Sequence, residues 1–61
     1  MKNSKKFLKI LMLAAIEHRK KYAVEYNAYE LGYVSPTSQN AHDMYERLTE
    51  AIDWAKDEIG Q

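Results

Sequence analysis

The sequence predicts an all-α fold: an antiparallel two-helix hairpin, about 4–31 and 36–59, that dimerises into a four-helix bundle. Three observations predict it. Ala41, Tyr45, Leu48, Ile52, Ala55 and Ile59 recur at alternating four- and three-residue steps, which puts all six on one side of a helix. A second series, Leu8, Leu11, Ala15, His18, Tyr22, Tyr26 and Tyr29, keeps the same rhythm in the first half. Between them, Gly32 to Pro36 is too short a connection for anything but antiparallel neighbours.

The first helix opens at Asn3 or Ser4, either of which can cap it. No Pro or Gly interrupts the chain before Gly32, so one helix is expected to Leu31. Its weak point is Lys20 to Tyr22, where a break would leave two shorter helices. Gly32 suits the left-handed residue that ends a helix, with Tyr33 packing back on the last turn. Ser35-Pro36 reads as an N-cap followed by proline at the first helical position, where its missing N–H costs nothing; Ser38 and Asn40 are later cap candidates. The second helix is ended by Gly60.

An antiparallel register then pairs Leu8 with Ile59, Leu11 with Ala55, Ala15 with Ile52, His18 with Leu48, Tyr22 with Tyr45, and Tyr26 with Ala41. Charge favours the same orientation. Residues 1–21 hold seven basic side chains against Glu17, and residues 22–61 hold Arg47 and Lys56 against eight acids, so +6 faces −6. Lys5, Lys6 and Lys9 should therefore lie beside Asp57 and Glu58.

Sixty-one residues make a single domain, 1–61, with a thin core. Small folds usually gain a disulfide, a metal or a second subunit. With no cysteine, disulfides and thiolate zinc sites are excluded, and only His and carboxylates remain as metal donors. A second copy is the expected support, and the absence of cysteine fits a cytoplasmic location.

The apolar residues exceed what one hairpin seam consumes. Nine of the ten residues from Phe7 to Ile16 are apolar, and a helix greasy all round is normally buried all round. Ile10, Met12, Leu13 and Ile16 point away from the first stripe, and so do Val24 and Leu31. Met44, Ala51 and Trp54 leave the second. Leu13, Met44, Arg47, Ala51 and Trp54 are the candidate partner-binding residues, since Trp and Arg dominate binding anchors. The expected partners are a second copy of the chain, making a homodimer, and an unidentified protein.

No residues are assigned to catalysis, a cofactor or a metal. His18, on the core stripe, reads as a buried histidine bonded to Tyr45 or Glu46. His42 and Glu46 stand four apart, which offers two donors of a metal site and no more. Ser4, Ser35 and Ser38 lack a His base nearby, and the chain is read as non-enzymatic. The tyrosines lie on the core stripes, which favours packing over base stacking. The leading reading is a small accessory or inhibitory protein of the kind that phages and mobile elements encode.

Residues 28–38, Ala-Tyr-Glu-Leu-Gly-Tyr-Val-Ser-Pro-Thr-Ser, resemble the turn of helix-turn-helix repressors: an Ala four residues before the turn Gly, then Ser-Pro opening the recognition helix. The resemblance implies a DNA-binding regulator with Ser35, Thr37, Ser38 and Asn40 at the DNA. It spans about 20 residues. The helix that follows is acidic and long for this family, and Asn27 stands where the family places an apolar residue, so this is the alternative function. Two further alternatives rest on charge. Asp43, Glu46, Glu50, Asp53 and Asp57 could form an acidic nucleic-acid mimic. The basic residues 1–21 could lie along a membrane surface. The run FLKILMLAAI is too short to span a bilayer, and with Lys9 inside it and no small-x-small site after it, it is not read as an export signal.

Overall fold

A computed structural model describes residues 4–60 of the chain. It is all-α, with three helices among the described residues: α1 (Ser4–Lys20), α2 (Ala23–Glu30) and α3 (Pro36–Gly60). The cap expected at Asn3 falls outside the described residues. The single helix expected over 4–31 is two. The chain breaks at Lys21 and Tyr22, where Lys21 N–H donates to His18 O (3.2 Å) and Tyr22 N–H to Arg19 O (3.0 Å). These are three-residue bonds, which wind the backbone more tightly than an α-helix and end α1. The break does not turn the chain away. Tyr26 N–H bonds back to Tyr22 O at 2.8 Å, and both α1 and α2 pack on α3.

The order of contacts makes that packing antiparallel. Arg19 meets Thr49, Tyr26 meets Tyr45, and Tyr29 meets His42, so the partner number falls as the chain number rises. The result is a rod with extents of 46 × 16 × 13 Å. On α3 the expected stripe is the inner face. Ala41, Ile52 and Ala55 are buried, and Tyr45, Leu48 and Ile59 are half-buried.

The facing stripe differs from the expected one. Leu8, Met12, Ala15, Ile16 and Arg19 turn toward α3, while Leu11 and His18 are exposed. Met12 and Ile16, expected outside, are therefore part of the seam. Arg19 explains how a charged residue enters it. Its Nη1 donates to Thr49 Oγ1 at 3.0 Å, its guanidinium lies 5.1 Å from the Tyr45 ring centre, and Thr49 in turn donates to Tyr45 O at 2.8 Å. Past the break the register advances by one turn. Tyr45, expected opposite Tyr22, stacks on Tyr26 at 4.1 Å. His18 is not a buried partner of Tyr45 or Glu46; it meets Tyr22 edge-on at 5.5 Å.

Both ends of the α2–α3 connection are closed by backbone chemistry. Gly32 has φ +96°, Tyr33 N–H donates to Ala28 O at 2.9 Å, and Gly32 N–H to Tyr29 O at 3.0 Å. That pair of bonds is the Schellman end, and it needs a residue free to take positive φ. The Tyr33 ring itself is exposed rather than packed back. At the start of α3, Ser38 N–H donates to Ser35 Oγ (3.0 Å) and Ser35 N–H donates to Ser38 Oγ (2.8 Å). This is a reciprocal capping box with Ser in the place usually held by Glu. Ser38 Oγ also donates to Tyr33 O at 2.9 Å, which ties the cap to the preceding turn.

Candidate functional site

Two surfaces carry side chains that the packing does not consume. The first is apolar. A helix advances about 100° per residue, so the inward residues of α1 fix where the others emerge. Phe7, Ile10, Leu11, Ala14 and His18 share one exposed stripe roughly 130° round from the seam. On α3, Met44, Arg47, Ala51, Trp54 and Glu58 share a stripe roughly 100° from its own inward line. Both are displaced in the same rotational sense. In antiparallel neighbours equal senses come out on the same broad side of the pair. Phe7, Leu11 and Ala14 thus flank Ala51 and Trp54 on one face, with Leu11 65% and Trp54 59% exposed.

Four of the five sequence-picked contact residues belong to this face. Arg47, Ala51 and Trp54 are exposed along it, and Met44 is half-buried at its inner edge. Leu13 is not brought to it. It emerges on the opposite side of α1 among Lys6, Lys9 and Lys20, and is itself exposed. Phe7 and Leu11, outside the five residues picked from the sequence, are also exposed on this face. Their pairing with Trp54 depends on the roll of α1, which the even greasiness of residues 7–16 leaves undetermined.

The opposite side is charged. The expected lysine–carboxylate clusters do not close: among the described residues, no ion pair within 4.0 Å links Lys5, Lys6 or Lys9 to Asp57 or Glu58. The attraction is one of field, not of contact. A solvent-exposed pair, Lys20 with Glu17 at 3.0 Å, lies within α1.

The second surface lies on this charged side, near the α2–α3 connection. His42 is half-buried against two tyrosines: Tyr26 stacks on it at 5.3 Å with planes 4° apart, and Tyr29 at 4.3 Å and 28°. The stacking fixes the plane of the imidazole. Its Nε2 stands 3.4 Å from Glu30 Oε1 and 3.6 Å from Glu46 Oε1, and its Nδ1 stands 3.7 Å from Asp43 Oδ1. Tyr26 Oη donates to Glu46 Oε1 at 3.4 Å. Partial desolvation raises the Tyr26 phenol above its ordinary 10.0, helped by the neighbouring Glu30 and Glu46 carboxylates. His42 and Glu46 were legible from their spacing. Glu30 was not, because its place beside them needs the one-turn advance after the break.

At the repressor-like turn, Ser38 is wholly buried in the capping box, while Ser35, Thr37 and Asn40 are exposed. No helix among the described residues is long and apolar enough to cross a membrane. No family model, curated protein or solved structure matches this chain.

Proposed function

We propose that this chain is a non-enzymatic protein-binding module that works as a homodimer. In this reading two antiparallel helical pairs join through the Phe7–Leu11–Ala14 and Ala51–Trp54 face into a four-helix bundle. The observation that supports it is area. The chain exposes 4827 Å² for a mass of 7.2 kDa, whereas a folded monomer of that mass is expected to expose about 4,100 Å². The excess is close to the ~800 Å² that each partner contributes to a standard protein interface. Among the described residues only Ala41, Ile52 and Ala55 are buried hydrophobic residues, so one copy alone has little core. Pairing of helical hairpins is a common way to complete such a core. The free ends of the bundle then remain available to a protein partner, in keeping with an accessory or inhibitory role.

Sedimentation equilibrium tests this. The wild-type chain is expected at twice 7.2 kDa in the micromolar range, and Trp54→Glu and Leu11→Glu at 7.2 kDa with helicity retained. A wild-type monomer at all concentrations would remove the reading. The repressor-like alternative gives a different signature: DNA binding that falls steeply with salt and is lost on changing Thr37 and Asn40. Ser38 is set aside from that test because it holds the cap.

A further inference from the structure

We infer that Glu30, His42 and Glu46 form a binding site for a divalent first-row transition metal, with zinc as the type ion, which staples α2 to α3. The inference is independent of the apolar face, since the two surfaces lie on opposite sides of the rod.

The donor atoms already converge. One ligand atom from each of the three residues lies within 4.8 Å of the others, and they come from two helices rather than one. The His42 Nε2 distances of 3.4 and 3.6 Å to the two carboxylates are long for hydrogen bonds. They match instead the separation between neighbouring ligands of a tetrahedral ion. With metal–ligand bonds of about 2.0–2.1 Å, that separation is about 3.3 Å. Two carboxylates aimed at one another's vicinity repel unless a cation stands between them.

The surroundings are those that metal-bound histidines use. A ligating imidazole normally directs its other ring nitrogen at a carboxylate, which fixes the tautomer; here Nδ1 faces Asp43. A ligating carboxylate is normally held by an outer polar group; here Tyr26 Oη stands 3.4 Å from Glu46 Oε1, near enough to take that place once the ion draws the carboxylate in. Tyr26 and Tyr29 both stack on the ring, which limits the conformational freedom it has to lose on binding. The two glutamates are about half exposed, which gives the ion a path from solvent. An imidazole with two carboxylates suits zinc and its neighbours over calcium or magnesium, which prefer all-oxygen shells. Three protein ligands leave a fourth position for water. A staple at this place has an evident use, because α2 is only eight residues long and no disulfide is available to hold it.

The test uses the full chain and zinc ion alone, in metal-free buffer, followed by calorimetry and by the ring signals of both histidines in NMR. One zinc per chain is expected, with the His42 signals shifting and those of His18 unmoved. Zinc should raise the melting temperature in proportion to the logarithm of its concentration. Glu30→Gln and Glu46→Gln, both at exposed positions, should keep the helicity and each weaken zinc by at least tenfold. Asp43→Asn should weaken it by about 10- to 100-fold, as loss of an outer partner does. Absence of saturable binding would overturn the site. So would binding that moves His18, survives Glu30→Gln, or changes the sedimenting mass and so draws its ligands from two chains.

Discussion

At the scale of single residues, Ser38 carries more than its size suggests. Its hydroxyl accepts from Ser35 N–H and donates to Tyr33 O, and the residue is fully buried. Ser38→Ala would leave the Ser35 N–H and the Tyr33 carbonyl without their partner. The expected loss is about 1–2 kcal/mol, or roughly 4–16 °C in melting temperature for a domain of this size. Thermal unfolding followed by circular dichroism measures it, and Ser38→Thr should recover part of the loss through its own hydroxyl. Ile52, the other fully buried large side chain, sets the upper end of the range. Ile52→Ala should cost about 2–5 kcal/mol, enough to unfold a marginal chain. Tyr26 supplies a pH dependence. Its phenol is raised above 10.0, so the folded chain holds that proton more tightly than the unfolded chain does. The resulting stability is fully present below pH 10 and is lost as pH rises through the folded value. Tyrosinate absorbance should show a phenol titrating above 10.0, and Tyr26→Phe should remove it.

At the scale of helices, the three differ in how firmly they are held. Among the described residues the buried ones, Ser38, Ala41, Ile52 and Ala55, all belong to α3, and α1 and α2 have none. Amide exchange should therefore be slowest in the middle of α3 and faster throughout α1 and α2, because local opening of those helices exposes less apolar surface. Equal protection in α1 and α3 would contradict this ranking unless dimerisation covers α1. Repeating the measurement on Trp54→Glu separates the two cases. The connection is also sharply specified. Gly32 stands at φ +96° with open space where a side chain would go, so Gly32→Ala is strained by backbone conformation alone. It should cost about 1 kcal/mol, visible as a lower melting temperature with no change in helix content at low temperature.

At the scale of the whole molecule, the rod has two unlike sides. One is apolar through Leu11 and Trp54, with Arg47 and Glu58 along it, and the other carries Lys6, Lys9, Lys20 and the His42 cluster. If the apolar side joins two copies, the melting temperature must rise with protein concentration, since dissociation is then part of unfolding. Trp54→Glu should abolish that dependence and lower the melting temperature. The same variant should leave zinc stabilisation intact, because His42 lies on the other side. The two surfaces are thereby tested separately in one protein.

The sequence by itself determined the helical class, the stripe on α3, the glycine that ends α2 and the serine–proline start of α3. Each is a matter of spacing or of local backbone chemistry, and neither needs a distant partner. The stripe from Ala41 to Ile59 was legible because it keeps one unbroken four- and three-residue rhythm over the whole helix, with His42, Glu46, Asp53 and Lys56 along one flank. Only the tertiary structure decided the roll of α1, the break at Lys21–Tyr22 and the one-turn advance that brings Glu30 to His42. Where nine residues in ten are apolar, several faces are equally good to bury, and periodicity has nothing to choose between. In the fold Arg19 reaches Thr49 and Tyr45 from the side of α1 that also carries Met12 and Ile16, and Leu11 and His18 are left in solvent.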